Sequence, residues 1–414
     1  MSSRGLTAGS GTKTEFYMLK KLNIQLYTLL IASIFITIAG FFIFPNGKWE
    51  NAWFFYIATP LLIINYQQIQ IKTLFYNPNI IAFVIFSGYL LLNTFVLSNS
   101  FFKTIETLRT IFYILIFYMM LFFIYELPQK QIKIITNLLV SIATISAIIS
   151  MVIWYQAHPL NERLWGDFFL NHPILSDWGY GAPLIFCLYQ AITNENKKHV
   201  IGYMFQSLPL LLYILLTQSR GPLLALLGAM IFIIFTTKNK RAFLCLALII
   251  VMGLVDIPML LRGDITLIFR LEIWQQVIKQ SMNNFWFGHG YMISKHVLTH
   301  DMAFGHAHNV FIEMFYLGGM VGVLLMAYLI YPALKSYWAK RHNKTVNILA
   351  SIFIFGLLCM MTDGSKIILH PHALWLSFWL PYWMLNIIYL KTKWQTKTDA
   401  KIPTVSAIKP AGIA

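Results

Sequence analysis

Runs of about twenty apolar residues, separated by short polar segments, are the feature that most restricts how this chain can fold. A helix of that length spans the hydrocarbon core of a bilayer, and lipid offers no partner to an unpaired backbone group. Charged residues make up only 11% of the chain, whereas a soluble domain has about a quarter. The sequence therefore predicts an all-α integral membrane protein that crosses the bilayer many times.

We predict about twelve transmembrane helices. The predicted spans are Ile24–Phe44, Ala52–Tyr66, Asn79–Ser98, Leu108–Glu126, Ile132–Gln156, Ile174–Ala191, Val200–Leu216, Pro222–Thr236, Ala242–Asp256, Asn309–Leu334, Val346–Met361 and Ala373–Leu390. In this division residues 1–256 hold spans 1–9, residues 257–308 form a large periplasmic loop, residues 309–391 hold spans 10–12, and residues 392–414 are a cytoplasmic tail.

The formal net charge of +16 is read first as a signal of topology rather than of nucleic-acid binding. Most of the 31 basic residues fall into one set of alternating loops, which the positive-inside rule assigns to the cytoplasm. Both termini then lie in the cytoplasm, as an even number of spans also requires. The opposite side receives two long segments, Ala157–Pro173 and Ile257–His308, and the second contains a predicted amphipathic helix near Ile268–Met282.

Arg220 is the first candidate for binding an anion. It lies between the seventh and eighth predicted spans, where Thr217 or Ser219 can cap the next helix and Pro222 suits its first turn. A helix N-terminus attracts negative charge, and an arginine beside it adds to that attraction. The alternative is an arginine that extends to the membrane interface.

Arg270 is the second candidate and lies in the predicted loop helix. Leu271, Trp274 and Ile278 share one predicted apolar face, with Arg270 and Glu272 on other faces. The alternative is a surface charge on an amphipathic helix.

His306 and His308 come directly before the tenth predicted span. Residues two apart on a helix point to nearly opposite sides, so we expect only one of the two histidines to serve a given pocket. His308 and Asn309 lie nearest the helix N-terminus. Glu313 lies about one turn inside the span, where a carboxyl group needs a polar partner.

Glycines at positions 318, 319 and 322 follow in the same span. Small residues allow membrane helices to approach closely. This pattern predicts a helix-packing face.

The absence of several motifs narrows the chemistry. The sequence has no D-x-D or E-x-E acidic pair, and it has no Walker, G-x-S-x-G or H-E-x-x-H motif. We therefore predict neither a metal nor a cofactor. Two arginines and a histidine suit a diphosphate leaving group, because arginine binds phosphate oxygens as a fork and histidine takes up a proton near neutral pH. Single polar residues on the same side, Arg163, His172, Asp363 and Lys366, are weaker candidates.

Four motifs resemble the bacterial O-antigen ligase family, within the superfamily that also contains O-antigen polymerases and protein O-oligosaccharyltransferases. They are Arg163-Leu164-Trp165-Gly166 with Asn171-His172-Pro173, Thr217-Gln218-Ser219-Arg220, Arg270-Leu271 with Trp274 and Phe287-Gly288-His289-Gly290, and His308-Asn309 followed by Gly319 and Gly322. The resemblance covers most of the chain.

This resemblance implies a metal-independent, inverting glycosyltransferase with a GT-C-like membrane fold, in the bacterial inner membrane and with a periplasmic active site. The donor would be a glycan on undecaprenyl diphosphate and the acceptor the lipid A–core saccharide, with no nucleic acid. The catalytic residues would be His308, Arg220 and Arg270. The substrate-binding residues would be Arg163, Gln218, Asn309, His306 and Glu313.

Three alternatives remain at this point. A polymerase or a protein O-oligosaccharyltransferase would use the same donor and nearly the same site. A transporter would have charges along a path near mid-membrane, whereas the charged candidates here cluster at one face.

Overall fold

The computed structural model describes residues 11–66, 78–98, 100–255, 265–293, 297–299 and 302–399, and they are almost entirely helical. The helices are α1 Gly11–Ile43, α2 Gly47–Trp53, α3 Thr59–Ile64, α4 Pro78–Ser98, α5 Phe101–Tyr125, α6 Gln129–Ala157, α7 Pro173–Thr193, α8 Lys197–Leu216, α9 Arg220–Thr237, α10 Lys240–Val255, α11 Ile265–Ser281, α12 Val310–Lys340, α13 Lys344–Thr362 and α14 Leu380–Asp399. Between α11 and α12, strand β1 Val297–Thr299 pairs antiparallel with β2 Met302–Phe304, a hairpin that the all-α prediction did not include.

Eight of these helices are long and apolar enough to cross a membrane, so the chain is a multi-pass integral membrane protein as predicted. They are α4, α5, α6, α8, α9, α12, α13 and the part of α1 from Ile24 onward. The other four predicted spans are also helical but shorter, interrupted or more polar. Helix α10 has 16 residues, and a π-helical turn at Phe54–Ala58 separates α2 from α3.

The two remaining spans, around α7 and α14, are buried along nearly all of their described length and therefore need not be apolar on every face. The total of twelve stays a prediction. Helix α14 continues to Asp399, into the predicted tail, and residues 400–414 lie outside the described part. Of the basic residues assigned to cytoplasmic segments, Arg4 and Lys72 also lie outside it.

An aromatic core surrounds α14 and the π-helical turn Trp375–Trp379 before it. Trp375 packs against Phe117 of α5, with ring centroids 4.7 Å apart. Trp383 packs against Tyr118 at 4.5 Å and against Phe83 of α4 at 5.3 Å. Burial of these large rings places α14 in the middle of the bundle. The chain from residue 363 to 374 must therefore return across the end of the bundle where α13 stops.

Several other helices begin or end at the same end of the bundle as the C-terminus of α13. Helices α7, α9 and α12 begin there, whereas α13 ends there. Gly221 in the first turn of α9 lies directly against the side chain of Thr362, the last residue of α13. The Leu164 N–H donates to the Leu216 carbonyl at 2.9 Å, which ties the loop before α7 to the end of α8. The candidate residues come from these ends.

Candidate active site

The centre of the site is the end of α13, at Thr362, Asp363 and Gly364. Asp363 leaves the helix in an extended conformation, and Gly364 follows with a φ of +94°, a value that favours glycine. The Gly364 N–H donates to Asp363 Oδ1 at 2.7 Å. This tight turn fixes the direction of the Asp363 carboxylate.

His308 and Asp363 form a hydrogen-bonded pair with Nδ1 and Oδ1 2.9 Å apart. Asp363 is only 8% exposed. Burial raises the pKa of its carboxyl group, but the hydrogen bond and charge of His308, the Gly364 N–H and the Arg270 charge together hold that pKa below its ordinary value. The carboxylate is therefore ionised at neutral pH and orients the imidazole through Nδ1.

The two histidines lie together, so the expectation that only one could serve a pocket is wrong. Both precede α12, which begins at Val310, and His308 has a φ of +50°. Neither histidine is part of the helix, where residues two apart would point to opposite sides. Their ring centroids are 4.1 Å apart, and the His308 N–H donates to His306 Nδ1 at 3.1 Å. His306 thus supports the backbone of His308 from a place beside it.

Asn309 and Glu313 hold the start of α12. Asn309 Oδ1 accepts from the N–H groups of Phe311 and Ile312, at 3.0 and 3.2 Å, as an N-cap. Glu313 Oε2 accepts from the Ala307 N–H at 2.8 Å, which is the polar partner that its position required. Both side chains therefore fix the segment that carries the histidines.

Arg270 reaches the same centre from α11, the loop helix that the sequence predicted. Its guanidinium donates from a terminal nitrogen to the Thr362 carbonyl at 2.7 Å. The predicted apolar face is wrong. Leu271 and Ile278 are exposed, whereas Ile273 and Val277 are buried and lie on the same side of the helix as Arg270. Arg270 thus points towards the bundle with the buried face.

Trp274, which was predicted to share the apolar face of Leu271 and Ile278, is partly buried and connects α11 to the histidine segment. Its indole N–H donates to the Ala307 carbonyl at 2.9 Å. Two residues of α11 therefore contact the centre. Trp274 contacts the histidine segment, and Arg270 contacts the end of α13.

The residues from Thr217 to Ser219 serve mainly to hold Arg163. The Arg163 guanidinium donates to the Thr217 carbonyl at 2.7 Å and to Ser219 Oγ at 2.9 Å. The Thr217 hydroxyl donates to the fully buried Asp177 carboxylate at 2.7 Å. Asp177, in α7, was not singled out from the sequence. The Arg163 side chain is therefore held by two hydrogen bonds, although the sequence indicated only a weaker candidate.

Arg220 is the first residue of α9, and Ser219 takes the N-cap position as predicted. The Ser219 side chain makes no capping hydrogen bond, since its oxygen accepts from Arg163. Gln218 has a φ of +52° and forms the turn between α8 and α9. Within the described residues the Arg220 guanidinium has no hydrogen-bond partner, and it lies one residue from Gly221, which contacts Thr362.

The glycines of α12 have two roles rather than one. Gly318 and Gly322 lie close to Tyr89 of α4, as the predicted packing face requires. Gly319, with φ +63° and ψ −167°, instead interrupts the helix. Its α-carbon lies so close to the backbone of Trp286 and Gly288 that a side chain would overlap them.

This interruption allows the segment from Phe285 to Gly290 to bind to α12 through its backbone. The N–H groups of His289 and Gly290 donate to the carbonyls of Tyr316 and Leu317, each at 2.9 Å. The Phe287-Gly288-His289-Gly290 motif therefore joins the long loop to α12.

His306, His308 and Asp363 could also hold a metal ion, since they offer three ligand atoms within 4.8 Å of one another. The sequence predicted no metal. A neutral histidine paired with an aspartate is also the arrangement of a general base, so the geometry alone fits both uses.

Asp363 is the residue whose importance the sequence did not reveal. It lies 55 residues from His308 and appeared only as a single polar residue between two spans. Its position on the predicted outer side, followed by glycine, was the available signal. His172, another single candidate, accepts from the Ile174 N–H at 3.3 Å as the N-cap of α7.

Comparison with known proteins gives two matches. The O-antigen ligase domain family matches residues 205–327, which include Arg220, Arg270 and His308. A curated O-antigen ligase of Pseudomonas aeruginosa is 28% identical over 364 residues, which cover 85% of this chain and 88% of that protein. The family match begins at residue 205 and ends at residue 327, so Arg163 and the end of α13 with Asp363 lie outside it.

Proposed function

Because the chain belongs to the O-antigen ligase family of lipid-linked glycan transferring enzymes, we propose that it transfers a finished glycan from undecaprenyl diphosphate to a hydroxyl group of the lipid A–core oligosaccharide. The observation that supports this most strongly is the His308–Asp363 pair beside Arg270 at the end of α13. A general base and a permanent positive charge at one point are what such a transfer requires.

His308 acts as the general base. With Nδ1–H donating to Asp363, the neutral imidazole carries its lone pair on Nε2. Nε2 removes the proton from the acceptor hydroxyl as that oxygen attacks the anomeric carbon of the donor sugar. The bond between this carbon and the diphosphate oxygen breaks, with inversion at the carbon. Asp363 stabilises the imidazolium that forms, without accepting its proton.

The arginines balance the charge that moves onto the departing undecaprenyl diphosphate. Arg270 uses one nitrogen on Thr362, and its other guanidinium nitrogens make no further hydrogen bond among the described residues. Arg220 and Arg163 approach from the start of α9 and from the loop before α7. Arginine stays charged and matches phosphate oxygens in a fork, so no metal is needed in this proposal.

The other predicted substrate contacts are proposed to act close to these groups. His306 lies beside the base, and Gln218 lies two residues before Arg220 in sequence. Asn309 and Glu313 act through the backbone that they hold rather than as direct contacts.

We place this site at the periplasmic face of the bacterial inner membrane, in a GT-C-like fold. The support is the charge distribution. Connections at the opposite end of the described helices, such as those at Lys130, Lys198, Lys240 and Arg341, are rich in basic residues. A donor whose tail lies in the bilayer would then present its diphosphate at the helix ends.

Deletion of the gene and complementation with variants tests the proposal. We expect His308→Gln and Arg220→Lys to leave the lipopolysaccharide core without attached glycan, because the first variant removes the base and the second loses the fork. Arg241→Lys is the matched control, since Arg241 lies at the other end of the bundle and donates to the Asn194 carbonyl. Gel electrophoresis of the lipopolysaccharide and immunoblots of protein level are the measurements.

The deletion strain also separates the related activities. Bare core with glycan retained on the carrier identifies a ligase. Core carrying one repeat unit would instead indicate a polymerase, and normal lipopolysaccharide with loss of glycoprotein staining would indicate transfer to protein. Full capping by both variants at normal protein level would exclude the roles assigned to these residues.

A further inference from the structure

A cavity lies inside the bundle, away from the His308–Asp363 pair. Six helices surround it in the order α1, α6, α7, α13, α14 and α5, and each contacts the next to close a ring. Its volume is about 480 Å³, which is within the range of ligand sites. Its wall is largely apolar and includes Ile38, Leu121, Ile132, Ala182, Leu349 and Met384.

The mouth of this cavity lies at the end of the bundle opposite the candidate active site. Helix α7 begins beside the active site at Pro173 and reaches the mouth at Asn194. Helix α13 runs the other way, from Thr345 at the mouth to Thr362 at the active site. The two sites are therefore separated by the length of these helices.

The depth of the cavity matches one leaflet of a bilayer. Lining residues on α6 extend from Gln129 to Val140, which at 1.5 Å per residue is about 16 Å. The hydrocarbon core is about 30 Å thick, so this is roughly half of it. Protein interiors are close-packed and contain few voids larger than a water molecule. An apolar space of this size and depth is therefore suited to a hydrocarbon chain from one leaflet.

Polar and basic groups gather at the mouth. Lys133, Gln129, Gln190, Asn194 and Thr345 all line it. This distribution gives the cavity an apolar interior with a polar, positively charged entrance, as an amphiphile with an anionic headgroup requires.

The helix ends at the mouth reinforce the preference for an anion. Helix α6 starts at Gln129 without a side-chain cap, so its first N–H groups are left to other partners. Lys133 lies next to this first turn, where positive charge opposes the helix dipole and a bound anion would offset it. The N-terminus of α13, at Lys344 and Thr345, adds the positive end of a second helix dipole, where Asn343 already accepts from the N–H groups of Thr345 and Val346.

We propose that this cavity binds one acyl chain of an anionic phospholipid, whose phosphate lies at the mouth beside Lys133 and the start of α6. The occupant comes from the leaflet opposite the active site. Basic residues near a membrane surface attract anionic lipids, and the connections at this end are rich in them. The proposal is independent of the glycan transfer reaction, because none of the lining residues belongs to the active site.

The test uses the full-length protein in detergent and fluorescent phosphatidylglycerol, with phosphatidylcholine carrying the same label as the neutral comparison. We expect the intact protein to prefer phosphatidylglycerol. Lys133→Gln should lower the affinity for it about fivefold, the contribution of one basic residue near an anionic headgroup. Lys130→Gln is the matched control, since Lys130 lies in the same turn but does not line the cavity.

Thr136→Trp, which fills the cavity from α6, should abolish saturable binding while thermal unfolding and glycan transfer stay normal. If that variant does not fold, the difference between the two lysine variants decides the matter. Equal binding of both lipids, equal losses in both lysine variants, or unchanged binding in a folded Thr136→Trp protein would each overturn the proposal. Displacement of the labelled lipid by a lower concentration of undecaprenyl phosphate would overturn it in favour of the carrier lipid.

Discussion

Replacement of Asp363 by asparagine is the most informative single perturbation of the site. Asp363 Oδ1 accepts both from His308 Nδ1 and from the Gly364 N–H. In the variant the amide oxygen can keep both hydrogen bonds, whereas a flipped amide would place its NH₂ group against the Gly364 N–H. The structure therefore predicts that Asp363→Asn keeps the orientation and the tautomer of His308 and removes only the negative charge.

The expected loss of activity follows from the removal of the negative charge alone. A hydrogen bond to a charged partner contributes more than a neutral one, and the difference grows when imidazolium forms in a buried place. We take the loss of transition-state stabilisation as about 2–3 kcal/mol, which corresponds to a decrease of about 30- to 160-fold in kcat. Inversion of the tautomer would cost about 10⁴-fold in a comparable histidine–aspartate pair. The two mechanisms therefore predict clearly different rates.

The assay is single-turnover glycan transfer with purified protein, lipid-linked donor and core acceptor, alongside thermal unfolding. Asp167→Asn is the control, since Asp167 lies in the loop before α7. Its backbone N–H donates to Ser150 Oγ and not to the His308–Asp363 pair. A folded Asp363→Asn protein that loses less than about threefold would refute the catalytic role of the pair, because the charge term alone exceeds that. A loss near 10⁴-fold would show that the tautomer of His308 is inverted, and it would refute the claim that the Gly364 N–H keeps the amide oxygen of the Asp363→Asn side chain towards His308.

Three further predictions test the fold, the pH dependence and the metal-independent mechanism. Gly319→Ala should destabilise the protein by about 1–3 kcal/mol or more, because the backbone conformation of Gly319 is nearly exclusive to glycine and Trp286 leaves no room for a methyl group. The control Gly202→Ala, at a position with open space around it, should not lower the midpoint of thermal unfolding. Burial, with smaller contributions from His370 and His172, lowers the pKa of His372 to about 4. Below about pH 6.5 the unfolded chain therefore binds a proton that the folded protein does not, and the free energy of unfolding should fall by about 3 kcal/mol as the pH decreases to about 4. His372→Asn keeps an acceptor for the Leu374 N–H and should reduce this pH dependence in thermal unfolding. Treatment with EDTA should leave transfer unchanged; a loss that a divalent metal restores would make His306, His308 and Asp363 a metal site and refute the metal-independent mechanism.

The membrane-spanning character and the loop helix followed directly from sequence, because apolar runs and helical periodicity are local properties. The same local rules failed where tertiary contacts decide. Leu271 and Ile278 have the spacing of a buried face, yet α11 buries Ile273 and Val277 instead, since it packs against α12 and its Arg270 contacts the end of α13. Periodicity could not choose between two apolar faces of a helix in a membrane protein.

Contacts between residues far apart in sequence could not be predicted either. Nothing in the segment around His308 indicates that Asp363 is its partner, because the pair is made by two chain turns, at Gly364 and before Val310, that lie far apart in sequence. The positive φ of His308 also removed the basis for placing His306 and His308 on opposite sides. Motif resemblance found these residues without giving the geometry that joins them.

In the proposed mechanism, the end of α13 joins motifs scattered along the chain into one site. The last carbonyls of a helix lack internal partners and carry partial negative charge, which would repel a diphosphate. Arg270 satisfies the Thr362 carbonyl and offsets that charge, and the next residue, Asp363, holds the base. Gly221 lets the start of α9 contact the side chain of Thr362, so the positive end of that helix lies beside the end of α13. The effect of changing Arg270 must therefore combine the loss of a helix-end contact with the loss of an anion-binding charge, and Arg270→Lys, which keeps the charge, separates the two.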